Sequence, residues 1–445
     1  MIWSICKNEL RLNCLNLRLP LILTIAAVFT AVTTVISCHD LMERSKEYHA
    51  RREHHKMSPV YLHVDRHPNP LTLFCTGVFL KTPLSVQIPK IPYYGMETEV
   101  IEHPTDNILF VQMQYPDVGF VLAIVIGLGV VVFAYDSICG EKERGTLKLV
   151  FSNNVPRYKL LLGKFLAGTL GLSAIVLVVW FLAILITMRE SFVQFSAGDF
   201  GLLTLALLSS VVYVFLLLAI TMFISSLASS SRIAIVSCVS FWLISCLLAP
   251  PFGPMVAKMI RRIPLHQEFV LSKHSLLSQE TKEAIKTYKE RRTENNTQVG
   301  ELLLETINKV GVKWSELNEK SIVEYQSKVA QQEDLSRLIS SVSPPLAFQL
   351  ALSELCGTSI TSQRYFEGQA KDWARAYAAN IWEQHRHSFE SALQVFTLEA
   401  NQPDIKPFPI KSRLRHWLCY FTYMLILGIL CFAVTFIRFV HYDVR

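Results

Sequence analysis

Six long apolar segments, with no charged residue near their centres, constrain the fold of this chain more than any other feature. A helix needs roughly 20 residues to cross a hydrocarbon core, and each segment is long enough to do so. They cover residues 19–37, 118–135, 165–188, 200–224, 233–253 and 417–440. Only 18% of the residues are charged, against about 25% in soluble domains. The sequence therefore predicts a mainly α integral membrane protein with six transmembrane helices.

The first apolar segment resembles a secretory signal in its position and in the basic residues that precede it. Its apolar run is too long for a signal, however, and no small-x-small cleavage site follows at residues 38–42. We interpret it as a retained span. Residues 1–18 mix Trp3 and several leucines with Lys7, Glu9 and Arg11, a pattern typical of an interfacial amphipathic helix. The alternative is a simple extension of the first span.

The distribution of basic residues predicts the orientation. The loop 136–164 contains six Lys or Arg residues, and the loop 189–199 contains one. Loops rich in Lys and Arg stay in the cytoplasm, so the loops 136–164 and 225–232 and both termini, including the tail 441–445, should be cytoplasmic. The net charge of +7 then reflects topology, and nucleic acid is not an expected partner.

Two regions are expected outside the membrane. Residues 38–116 form a small mixed α/β lobe, helical at 41–52 and β-prone at 60–64, 71–80, 86–88 and 108–113. Residues 254–415 form a larger helical domain with breaks near Gly311 and at Pro344. The ten cysteines are scattered singly, and a bridge between Cys38 and Cys75 stays open because sequence does not fix connectivity.

The common catalytic motifs are absent from the sequence. Gly163 and Lys164 are followed by Phe165 and lack the upstream glycine of a phosphate-binding loop. Neither HExxH nor GxSxG occurs, so we predict that the chain is not an enzyme. Uncharged span centres argue against an ion-coupled transporter or a channel. We interpret the polar span residues as helix-packing positions: Ser209, Ser210, Tyr213, Ser237, Ser240, Trp242 and Ser245.

Histidines are concentrated in the first exterior region. They are His39, His49, His54, His55, His63 and His67. Metal binding by this patch is one interpretation, and solvated surface histidines are the other. The spacing of His63 and His67 in a β-prone stretch does not bring both imidazoles to one face.

A charge-rich segment, residues 140–157, lies directly between the second and third spans. Its sequence, GEKERGTLKLVFSNNVPR, predicts a short amphipathic helix on the membrane surface. We expect Asp136 or Ser137 to cap its start, and Leu147 and Leu149 to contribute to its apolar face. Such a helix either presents its charges to a partner or only tethers the two spans.

The same segment resembles one found in the permease subunits of type-2 ABC transporters. Those subunits carry an EKERGT-like stretch between the second and third spans, matched here by Glu141-Lys-Glu-Arg-Gly-Thr146, Leu147, Leu149, Ser152 and Val155-Pro-Arg157. Asn154 departs from the pattern, which commonly has proline there. Pro68-Asn-Pro-Leu71, Ser343-Pro-Pro-Leu346 and Leu355-Cys-Gly-Thr358 are similar to regions of a subgroup with large exterior insertions.

The resemblance implies a coupling helix that docks on a separate ATPase subunit. The residues carried over to that contact are Glu141, Lys142, Glu143, Arg144, Gly145, Thr146, Leu147, Leu149 and Arg157. It also implies a complex of two permease copies, identical or not, with two ATPase subunits in the inner membrane of a bacterium. ATP and Mg²⁺ would bind to the ATPase subunits, and this chain would bind no cofactor directly.

Three functions stay open at this stage. Uncharged spans and large exterior regions favour ATP-driven export or extraction of a hydrophobic, lipidic or peptide-like substrate, whose path the sequence does not identify. The second function is ATPase-driven mechanotransmission to an envelope partner without transport. The third is metal handling by the exterior histidines.

Overall fold

A computed structural model describes residues 1–56, 61–77, 85–89, 116–146, 156–264, 266–294, 299–385 and 405–441. Its helices are α1 (Ile2–Leu15), α2 (Arg18–Lys56), α3 (Val118–Phe120, Val121–Ile126 and Gly127–Ala134), α4 (Cys139–Glu143), α5 (Arg157–Met188), α6 (Ala197–Leu227), α7 (Ser231–Ile260), α8 (His266–Glu294), α9 (Val299–Ser340), α10 (Pro344–Cys356), α11 (Ile360–His385) and α12 (Ile410–Val440). Six helices, α2, α3 with α4, α5, α6, α7 and α12, have the length and hydropathy of membrane spans. The predicted fold class is confirmed.

Helix α6 is the central element of the bundle. Its Ser210 Oγ accepts a hydrogen bond from Trp180 Nε1 of α5 at 3.1 Å. Ser209 Oγ accepts one from Trp417 Nε1 of α12 at 2.8 Å. Tyr213, one turn further on, donates to the Ala123 carbonyl of α3 at 2.7 Å. These side chains satisfy buried polar groups of three neighbouring helices, as the packing interpretation predicts.

Two spans contain a π-helical turn. In α3 it covers Val121–Ile126, and in α7 it covers Ile244–Leu248, between Ser231–Leu243 and Ala249–Ile260. Pro250 and Pro251 follow the second turn. Because proline has no N–H to offer the carbonyl four residues earlier, a wider turn at this point adapts the helix to it.

Helix α10 lies inside the bundle, although the sequence places it in the larger exterior domain. All its residues from Pro344 to Cys356 are buried, and Phe348 stacks on Tyr213 of α6 with ring centroids 4.6 Å apart. The preceding α9 is continuous for 42 residues, so the expected break near Gly311 is wrong. A single helical glycine costs only about 1 kcal/mol, which the rest of a long helix offsets.

The first region expected outside the membrane contains a two-stranded antiparallel sheet. Strand β1 (Tyr61–Asp65) pairs with β2 (Ser85–Pro89). The run from Leu71 was expected to be β-prone, but Pro70–Leu73 forms a 3₁₀ turn capped by the Asn69 side chain. The expected strand at 108–113 lies outside the described residues. Cys38 and Cys75 are both buried free thiols.

Candidate functional site at the charged end of the bundle

One end of the bundle brings together α1, α4, the starts of α2, α5 and α7, and the ends of α6 and α12. We call it the charged end. Arg18 at the start of α2 makes two hydrogen bonds to the Asp136 carboxylate after α3, at 2.7 and 2.9 Å. Asp136 therefore does not cap α4, and Ser137 Oγ donates to the Ala134 carbonyl instead. The predicted cap is wrong because a basic side chain distant in sequence binds the carboxylate.

The cap of α4 is supplied by α6. Ser225 Oγ accepts hydrogen bonds from the backbone N–H groups of Ile138 and Cys139, at 3.3 and 3.2 Å. These amides begin the helix and have no intrahelical acceptor. A buried hydroxyl of a neighbouring span thus fixes where α4 begins.

Two side chains of α4 attach it to the loop between α6 and α7. Lys142 Nζ donates to the Ser226 carbonyl at 2.7 Å. The Glu143 carboxylate accepts from the Ser231 backbone N–H, the first residue of α7, at 2.8 Å. A carboxylate at a helix N-terminus also interacts favourably with the helix dipole. The α4 segment is therefore fixed to both α6 and α7.

A third attachment joins α4 to α1 and α5. Lys164 Nζ of α5 lies 2.7 Å from Glu9 Oε1 of α1 and 2.7 Å from Glu141 Oε1 of α4. The lysine side chain is only 8% exposed. One ammonium group therefore links three helices.

Residues 143–146 form the tip of the segment, where Glu143 is both attached to α7 and exposed. Glu143, Arg144 and Thr146 are exposed. Arg144 Nε donates to the Gly140 carbonyl at 3.1 Å, so one edge of its guanidinium group lies against the end of α4. Gly145 has a positive φ of 69°, and a Cβ there would meet nothing within 4 Å. The tip is an exposed turn with one acidic and one basic side chain, on a fixed base.

The predicted contact residues thus separate into two groups. Glu141, Lys142 and Glu143 bind other helices of the same chain. Arg144, Gly145 and Thr146 lie at the tip, where Arg144 and Thr146 are exposed. Arg157 Nη1 donates to the Val440 carbonyl at 2.7 Å and so attaches α5 to the end of α12. Leu147 and Leu149 lie outside the described residues.

Glu9 and Lys164 were not identified as site residues from the sequence. The available signal was a lysine just before an uncharged span, but it was considered only as evidence for topology and as part of a phosphate-binding motif. Its two acidic partners are 155 and 23 residues away, so helical spacing does not reveal them.

The described side chains contain no group of three potential metal ligands. His67 Nδ1 lies 2.8 Å from the Pro68 carbonyl, and the side chain is exposed. The side chains of His54, His55 and His63 lie outside those described.

The chain matches the family described as "ABC-2 family transporter protein" over residues 3–444. It therefore belongs to that family, and the resemblance seen in the sequence is confirmed. It is a membrane permease of an ABC transporter, the component that partners an ABC ATPase subunit. A comparison with curated protein sequences gives no match.

Proposed function

We propose that this permease exports or extracts a hydrophobic, lipidic or peptide-like substrate, driven by ATP hydrolysis in two separate subunits that dock on the charged tip. The observation that carries the proposal is the contrast between the exposed Arg144 turn and its fixed base. An element that transmits force must resist deformation, and here it is bound to α5, α6 and α7. An exposed guanidinium suits a charge-assisted contact with an acidic groove on the ATPase.

The orientation of the complex is part of the proposal. The charged end, with both terminal helices and the Lys- and Arg-rich loop, would face the cytoplasm of a bacterium. ATP and Mg²⁺ would bind in the ATPase subunits. A second permease copy, identical or related, would complete the path. Ser237 and Ser240 of α7 support this, since both are exposed on a largely apolar helix and a protein neighbour could satisfy their hydroxyls.

The substitution Arg144→Glu tests the proposal. Reversal of this charge should abolish co-purification of the ATPase subunit, or should uncouple its ATP turnover, while the permease stays folded and inserted. Arg189→Glu is the matched control, because Arg189 is an exposed arginine at the other end of α5. Wild-type co-purification and ATP turnover in the Arg144 variant would contradict the docking role.

Mechanotransmission is a second candidate function, and the exterior helices favour it. Helices α8 and α9 form an antiparallel hairpin in which Phe269 stacks on Tyr325 with centroids 4.4 Å apart. At 1.5 Å per residue, α9 is about 63 Å long. A hairpin of this length could carry motion to an envelope partner.

The base of this hairpin is joined to the buried α10. Arg364 of α11 binds Glu333 and Asp334 of α9, and Arg337 lies 3.8 Å from the buried Glu354 of α10. Although burial acts to raise it, the Arg337 hydrogen bond and the Arg364 charge hold the pKa of the Asp334 carboxyl below its ordinary value. Movement of α10 would therefore be transmitted to α9.

Proteoliposomes that contain only the permease and its ATPase separate the two functions. ATP-dependent movement of a fluorescent phospholipid or an apolar peptide between leaflets or across the bilayer supports transport. ATP hydrolysis without such movement, and with an ATP-dependent change in distance between spin labels on α9 and α12, supports mechanotransmission.

A further inference from the structure

We call α4 and the tip residues 144–146 the docking segment. We infer that Lys164 is a positioning residue through which α1 and α5 move together with this segment. This inference rests on the proposed docking of the ATPase at residues 143–146. Its basis is the bridge of one buried ammonium to Glu9 and Glu141 at 2.7 Å each. The role has a direction: force applied at the tip passes through Glu141 and Lys164 to the N-terminal helix.

The bridge is a tightly constrained arrangement. The side chains of Lys164, Glu141 and Glu9 are 8%, 19% and 23% exposed. Glu141 Oε2 is buried and has no hydrogen-bond partner in the described structure, so the ion pair through Oε1 compensates the burial of this carboxylate. Removing the shared cation would leave two acidic groups close together and partly buried, which is strongly unfavourable.

Helices α1 and α5 are packed closely enough to move as one body. A Cβ on Gly163 would lie 2.7 Å from Ile5 Cγ2, and one on Gly171 would lie 3.1 Å from Leu10 Cδ2. Gly163 is therefore needed for this close approach, and Gly171 lies in close contact with the end of the Leu10 side chain. Because α1 and α5 form one packed unit, a displacement of Lys164 carries α1 with it.

The docking segment is thus attached to two different groups of helices. Lys142 and Glu143 bind the end of α6 and the start of α7. Glu141 binds Lys164 of α5, which in turn binds Glu9 of α1. Helix α1 exposes Trp3, Leu12 and Leu15, apolar side chains that suit the lipid interface. The contacts of Lys164 would consequently carry the motion of the docking segment to α1 at the bilayer surface. Arg144 takes no part in these contacts and remains available to the ATPase.

The experiment uses the full permease–ATPase complex. ATP turnover is measured in unlabelled complexes with native Thr146. Distances are measured in complexes with Cys419→Ser that retain the ATPase and are spin-labelled at the exposed native Cys14 of α1 and at Thr146→Cys. In the otherwise unaltered chain, we expect one narrow distance distribution, the same without nucleotide and with a non-hydrolysable ATP analogue. Lys164→Met should broaden or shift that distribution on analogue binding. It should also lower ATP turnover by about fivefold or more, the usual size of a lost coupling, without loss of the bound ATPase.

Three controls make the result specific. Lys164→Arg keeps the positive charge and should restore both readouts. Lys159→Met removes a lysine of the same helix whose ammonium lies over the Tyr158 ring, and should change neither. Glu141→Gln retains the pair between Lys164 and Glu9, so α1 and α5 stay together while α4 loses its link to them. It should broaden the distance distribution even if the Lys164→Met protein fails to insert.

An unchanged distance distribution and unchanged ATP turnover in Lys164→Met would overturn the inference. If that variant does not insert, an unchanged distribution in Glu141→Gln would overturn it equally. Failure of the proposed docking itself gives a different result, since Arg144→Glu would then retain the ATPase and its normal turnover.

Discussion

At the scale of single residues, a comparison of two glycines distinguishes the cost of backbone strain from the cost of a steric conflict. Gly145 in the exposed tip and Gly357 at the end of α10 have the same φ of 69°. A Cβ on Gly145 would meet open space, whereas one on Gly357 would lie 2.9 Å from Arg413 Cζ. Both positions disfavour other residues by about 1–2 kcal/mol through the backbone alone, and Gly357 adds a steric conflict with a buried arginine.

We therefore predict that Gly357→Ala lowers the melting temperature in detergent clearly more than Gly145→Ala does. The additional loss should correspond to about 1–3 kcal/mol, the usual cost of overpacking. Intrinsic tryptophan fluorescence during heating gives the measurement. An equal decrease in melting temperature in the two variants would show that the Arg413 guanidinium can move aside at no cost in stability.

At the scale of the helices, the contact between α1 and α5 depends on a glycine. A Cβ on Gly163 would collide with Ile5, whereas one on Gly201 in α6 would have nothing within 4 Å. Alanine is the better helix former by about 1 kcal/mol. The same substitution should therefore have opposite effects at these two positions.

Gly163→Ala should increase amide hydrogen exchange throughout α1, because the helix must move away from α5. Gly201→Ala should leave the exchange of α1 unchanged and raise the melting temperature slightly. Exchange followed by mass spectrometry of the peptide covering Ile2–Leu15 provides the test. Unchanged protection of α1 in the Gly163 variant would mean that α5 adapts instead.

The spans could be predicted from the sequence because each is an uninterrupted apolar run. This signal does not depend on which helices pack together in the fold. The two strands of the 38–116 region could also be predicted, since β-branched residues mark both, but their pairing could not. Helix α10 could be recognised as helical, but its burial could not, because the helices that surround Phe348 are distant in sequence. The anchors of α4 were missed for the same reason: Ser225 and Lys164 contact it only in the folded bundle, and Glu9 is joined to it through Lys164.

At the scale of the whole molecule, α4 and the tip after it would act as a lever, with one exposed contact and several attachments to other helices. The ATPase would act on the tip at Arg144, and the bundle would receive the displacement through Glu141, Lys142 and Glu143. Helices α6 and α7 lead onward to α10, since Tyr213 stacks on Phe348. A movement at the charged end could therefore reach the opposite end through packed side chains.

Site-specific photo-cross-linking in membranes tests the central claim most directly. A photoreactive amino acid would be placed at Arg144 and, in a second variant, at Arg189, in cells that also produce the ATPase subunit. The account predicts a covalent adduct with the ATPase from position 144 and none from position 189. An adduct from position 189, or none from position 144 in a fully inserted permease, would contradict it.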